Sequence, residues 1–147
     1  GVNSIKISYP ASESYAEVMV AESWATVSGG ATGNIVPIFD TEAASVTGKN
    51  LIVVGGSCVN TIAASLLGLP ANSCGSSWQT KTGVGAGQFL IQTFARDGGK
   101  VATLVAGYNM EDTANAVKAL KTDTTVEIAA GKKFVGTATS VQAVNVA

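Results

Sequence analysis

A chain of 147 residues is long enough to bury roughly 70% of its unfolded surface around one core, so a single α/β domain spanning 1–147 is the expectation. Only 13% of the residues are charged, against about 25% in an average protein, and Ala, Val, Thr, Ser and Gly dominate. Nine basic and ten acidic residues leave a net charge of −1 with no run of either sign, which argues against nucleic acid or an anionic membrane surface as a partner.

No window approaches the ~18 consecutive apolar residues of a membrane-spanning helix, so no membrane insertion is expected in this segment. The chain opens at Gly1 without Met or a charged-then-apolar leader, the expectation for a mature product or a piece of a longer protein.

In chain order, Ile5, Ile7 and Tyr9 alternate with polar residues, Pro10–Ser14 turns, and Tyr15–Ala21 resumes an extended apolar run, a pattern that predicts a hairpin. Ser28–Gly33 has loop composition. Ile35–Phe39 reads as a short strand whose Pro37 favours an edge or a bulge. Leu51–Val54 is a short all-apolar run closed by Gly55-Gly56 and followed by a helical stretch from Val59 to Leu67, the mark of a buried strand turning into a helix. Val101–Val105, Gly107 and Asn109 repeat the arrangement: Asn109 is the N-cap, Glu111 and Asp112 fill the first turn, and Lys118 and Lys121 lie near the helix end.

Between these two units, Gln88–Arg96 fits a helix better than a strand, because Leu90, Ile91 and Phe94 fall within about 100° of a helical wheel. Val126–Ile128, Phe134–Thr139 and Val141–Val146 alternate around Gly131 and Gly136 and predict two or three further strands. The fold class is therefore α/β: a small parallel or mixed sheet with flanking helices, plus β-strands from the N- and C-terminal segments.

Chemistry-bearing residues are few. The sequence has no histidine, which removes Ser–His and Cys–His pairs and every His-containing metal site. Gly55-Gly56-Ser57-Cys58 has the strand-to-helix setting of a nucleophile elbow, but Val59 stands where the elbow needs Gly, and a tight turn accounts for it. Gly83-Val84-Gly85-Ala86-Gly87 has the wrong spacing for a dinucleotide fingerprint and reads as a loop. Gly48-Lys49-Asn50 and Gly99-Lys100-Val101 lack the hydroxyl of a phosphate-binding loop and precede strands, which makes their lysines solvated edge residues.

Asp40 with Glu42, and Glu111 with Asp112, are the close acidic pairs. Calcium would need about six to eight oxygen ligands, and no EF-hand spacing is present, so turn and cap chemistry is the stronger reading and calcium stays unassigned. Trp24, Trp78, Tyr15 and Tyr108 form no stripe and read as core or interface anchors. Catalytic, cofactor-binding and metal residues are thus expected to be none. Cys58 and Cys74 are too far apart for a C-x-x-C motif; the even count fits one disulfide and an oxidising compartment, with two buried free thiols as the competing arrangement.

Asn34–Asp40, Lys49–Ala63, Gly83–Ala95 and Lys100–Leu120, a little over half the chain, resemble a domain of archaeal surface-layer (S-layer) proteins. The strand and turn Leu51–Asn60, and Val105-Ala106-Gly107 before a capped helix carrying Asp112-Thr113, carry most of the likeness. The chain is much shorter than such proteins usually are. The resemblance implies a non-catalytic, extracellular structural role at the cell surface. Its partner would be a homopolymer or lattice of the same chain, or sister domains of a longer one. The alternative is a cell-wall or polysaccharide-binding module, for which the aromatic residues are too scattered.

Overall fold

The apolar run Leu51–Val54 forms strand β1, bounded by Gly48 and by the Gly55-Gly56 turn. The structure is a computed structural model that describes residues 37–145, apart from the side chain of residue 43. The chain divides into two units, Gly1–Pro37 and Ile38–Ala147, and the elements that follow belong to the second. The expected hairpin over Ile5–Ala21, the loop Ser28–Gly33, Tyr15 and Trp24 lie outside the described residues. Of the strand expected over Ile35–Phe39, only Pro37–Phe39 is described, and it carries no regular structure. A 3-10 helix, Asp40–Val46, leads into β1.

After β1 come helices α1 (Thr61–Leu67) and α2 (Ser76–Thr82), strands β2 (Phe89–Arg96) and β3 (Lys100–Gly107), helix α3 (Met110–Thr122), and strands β4 (Lys133–Thr137) and β5 (Ser140–Val144). The five strands make one mixed sheet in the order β1-β3-β2-β4-β5. β1 and β3 are parallel; the other neighbours are antiparallel. The fold is α/β, as the sequence implies.

Two layers of helix cover the sheet. On one face, α1 and α2 bury Val53, Ala63, Leu67, Trp78, Val84, Leu90, Leu104 and Ala106. On the other, α3 closes over Phe89, Ile91, Val105, Ala116, Ala119 and Phe134. The alternation of β3 explains the division, since Ala102, Leu104 and Ala106 point one way and Thr103 and Val105 the other. At the crowded centre, the Thr93 and Thr103 hydroxyls satisfy each other at 3.0 Å. Gly136 lies under the Phe89 ring, where a Cβ would collide with the aromatic edge and with the Ser140 carbonyl.

Two expectations are corrected. Phe89–Arg96 is a central strand, paired along its whole length with β3 and over its first half with β4. Its apolar run has no alternation because its first three residues are buried on both faces, and that continuity imitates a helical cluster. Val126–Ile128 is a loop: Val126 packs against the α3 core, Ile128 is exposed, and Glu127 turns outward to pair with Lys132 at 2.8 Å. The expected strands Phe134–Thr139 and Val141–Val146 correspond to β4 and β5.

Candidate functional site

Both parallel strands end at the same edge of the sheet, and each feeds a helix, so this edge is where an open α/β sheet offers backbone N–H groups to a ligand. Gly55-Gly56-Ser57 leaves β1 there, Gly107-Tyr108 leaves β3, and the Gly83–Gly87 loop approaches between β2 and α3. Of the candidate residues in the sequence, Ser57, the Gly83–Gly87 loop and Asp112 lie at this end, and Lys49 and Lys100 at the opposite one.

At the first turn, the Asn60 side-chain oxygen accepts the N–H groups of Ile62 and Ala63, both at 3.0 Å, while its amide donates to the Val54 carbonyl at 3.3 Å. Asp40 reaches across from the 3-10 helix, and one oxygen accepts from the Thr61 N–H (2.8 Å) and hydroxyl (2.7 Å). These bonds, the Thr61 N–H foremost, stabilise the ionised carboxylate and hold the Asp40 pKa below its ordinary value of 3.8. The first three N–H groups of α1 are therefore taken by the chain's own side chains.

At the second turn the side chains hold the residues that lead into α3. The Asp112 carboxylate is buried and accepts from Asn109 N–H and Gly87 N–H, each at 3.1 Å. The Thr113 hydroxyl accepts from Gly107 N–H at 2.9 Å. Gly107 lies so close to the helix that an added Cβ would fall on Asp112 and on the Thr113 amide. Asp112 thus ties the Gly83–Gly87 loop to the start of α3, a role as cap and cross-link of which the sequence pattern indicates only the cap. Glu42, its counterpart in the other acidic pair, accepts from Phe39 N–H at 2.9 Å.

Ser57 is fully buried, and its hydroxyl donates to the Ser73 carbonyl at 2.6 Å. Next to it, Cys58 and Cys74 form the disulfide, with Cα atoms 4.7 Å apart. The bridge and the Ser57 bond therefore fasten the same two loops together, the one entering α1 and the one entering α2. Trp78 packs beneath Gly56, and its buried indole N–H has no hydrogen-bond partner among the described residues. Trp78 is a core anchor, as expected; Tyr108 is partly exposed at the end of β3. Lys49 is exposed just before β1, and Lys100 is exposed as the first residue of β3.

Helix α2 has no counterpart among the elements expected from the sequence. Its seven residues bury only Trp78 and Thr82, an i, i+4 pair too sparse for a periodic signal, although Gly75 and Gly83 punctuate both ends. Among the described residues no group of three or more His, Cys, Asp or Glu is placed to hold a metal ion. Among the same residues, no helix is long and apolar enough to cross a membrane. A shallow open depression of about 420 Å³ lies beside α2, lined by Leu69, Ser76, Ser77, Thr80 and Lys81.

No protein-family model, curated protein or solved structure matches this chain.

The largest departure from ordinary surface chemistry lies beside β1. Ile52 and Val54 are 59% and 51% exposed, and Phe39 and Val59 are each 77% exposed. Ile52 and Val54 share the α3 face of the sheet, but α3 packs chiefly on β2, β3 and β4, and both side chains stay more than half exposed. Val59 stands over Gly55, and Phe39 adjoins the Asp40 cap at Thr61. Ile52 and Val54 thus leave apolar side chains exposed on the edge strand itself, with Val59 exposed at the turn that follows it and Phe39 exposed beside the start of α1.

Proposed function

We propose that the chain is an extracellular structural subunit that assembles with other copies of itself at a cell surface. The observation that carries this reading is the exposed apolar pair Ile52 and Val54 on an edge strand, with exposed Val59 at the turn that leaves it. Clustered apolar side chains of this size on a surface are the mark of an interaction site. An edge strand without a charged or proline guard invites pairing with another chain. Three further features support it. The first three N–H groups of α1 are spent on the chain's own side chains, the buried Ser57 hydroxyl is engaged by a backbone carbonyl, and the disulfide suits an oxidising compartment. The resemblance to archaeal S-layer domains points the same way.

Negative-stain microscopy and light scattering on purified full-length protein test the reading. Ordered sheets, tubes or filaments are expected as concentration rises. A strictly monomeric species at all concentrations would overturn it.

A further inference from the structure

We infer that copies of this chain join edge to edge, β5 of one subunit pairing with β1 of the next, so that the five-stranded sheet continues through the polymer. The inference rests on the assembly reading above and adds the contact that would build it.

Among the described residues, β1 and β5 are the two ends of the sheet, each paired on one side only. Their directions follow from the ladder. β1 is parallel to β3, β3 antiparallel to β2, β2 antiparallel to β4, and β4 antiparallel to β5. β5 therefore runs antiparallel to β1. Moving a copy sideways along the sheet, without turning it over, brings β5 against the neighbour's β1 in the antiparallel sense, the more stable of the two pairings. The faces also match. Ile52 and Val54 lie on the α3 face of β1, and Val141 and Ala143 lie on the α3 face of β5, opposite Gly136 and Phe134. The joint would set these four apolar side chains side by side.

Composition and length agree with this pairing. β1 is Leu-Ile-Val-Val and β5 is Ser-Val-Gln-Ala-Val, four and five residues with no charge and no proline. The Asn60 amide already holds the Val54 carbonyl, which leaves the Ile52 backbone as the centre of the β1 edge. Pairing over four or five residues is small for an interface, and Val59, exposed over the Gly55 turn that leaves β1, widens it with apolar surface. Because the joined surfaces differ, the contact is head to tail and propagates instead of closing as a dimer. Five strands at about 4.8 Å each advance roughly 24 Å per subunit, and the natural sheet twist makes the product a helical filament.

Cross-linking tests the pairing. Ile52→Cys and Ala143→Cys are made separately in the full chain, whose native cysteines are bonded to each other. The variants are then mixed and treated with a short bis-maleimide. Covalent dimers are expected in the mixture and not in either variant alone, and the double variant should give a ladder of multimers. Dimers from Ala143→Cys alone would show a two-fold β5–β5 joint, and dimers from Ile52→Cys alone a β1–β1 joint; either overturns the inference. Polymers visible by microscopy without cross-links in the mixture would overturn the β1–β5 contact and leave the assembly reading standing. Absence of any polymer overturns both. As a second arm, Ile52→Lys should raise the concentration needed for assembly on the order of tenfold or more, with an unchanged circular dichroism spectrum.

Discussion

At single residues, side chains that look chemically available in the sequence are spent on holding turns. Ser57 follows a Gly-Gly pair, yet its hydroxyl is buried and donates to Ser73 across the two loops that the disulfide joins. A broad serine-reactive probe should leave Ser57 unlabelled, as peptide mapping after treatment would show. Ser57→Ala should lower unfolding free energy by about 1–2 kcal/mol in urea, because the Ser73 carbonyl loses its donor. Asp40 makes a second, pH-dependent case. Its carboxylate binds the Thr61 N–H and hydroxyl in the folded state, which places its folded pKa below the ordinary 3.8. A depressed folded pKa contributes stability that is present above the unfolded value and lost as pH falls through the folded one. Melting temperature should therefore fall as pH drops below about 4, and Asp40→Asn should remove part of that slope. Asp123, lowered chiefly by the Thr125 hydroxyl, has the same sign and should account for part of the remainder.

At the scale of elements, legibility in the sequence follows burial. β1 and α3 are readable because each has one clear signal: an uninterrupted apolar tetrad closed by glycines, and a capped helix with acids at its start and lysines near its end. β2 is not, because a strand buried on both faces has no period-two pattern and its apolar residues can be wound onto a helix as easily. Val126–Ile128 misleads for the opposite reason: its alternation is real, but it arises from one residue anchoring a loop and another left exposed. The candidate site is legible as two glycine turns, the second with an asparagine cap at Asn109; the Asn60 cap falls inside the helix expected from Val59, and the long-range partners, Asp40 to Thr61 and Asp112 to Gly87, are not legible, since sequence spacing says nothing about which loops meet. The disulfide belongs to this scale because it ties the entrances of α1 and α2 across a sequence separation of 16. Opening a loop of that size should cost roughly 3 kcal/mol by chain entropy. The urea midpoint should drop accordingly in reducing agent or in a Cys58→Ser, Cys74→Ser variant. Intact mass under non-reducing, denaturing conditions should show no alkylatable thiol before reduction.

At the scale of the molecule, the question is which part of the chain suffices to fold and which to assemble. Among the described residues both hydrophobic cores are built between Leu51 and Val141, and the helices and strands that carry them are bonded to one another through Asn60, Asp112, Thr93 and the disulfide. The 3-10 helix that precedes β1 is fixed to this body by Asp40. A fragment spanning 38–147 therefore retains both cores and every cap described above. It should unfold in one cooperative transition, with coincident circular dichroism and Trp78 fluorescence, Trp78 being its sole tryptophan. Its assembly then separates two routes. In the sequence, the terminal segments Ile5–Ala21 and Phe134–Val146 alternate apolar residues with few charges and so are the expected edges for assembly, whereas the β1–β5 joint needs nothing before residue 38. The fragment should polymerise with the same repeat as the full chain when viewed by microscopy. A fragment that folds, keeps its disulfide and remains monomeric would show that residues 1–37 contribute to the contact and that the exposed apolar pair on β1 is not enough on its own.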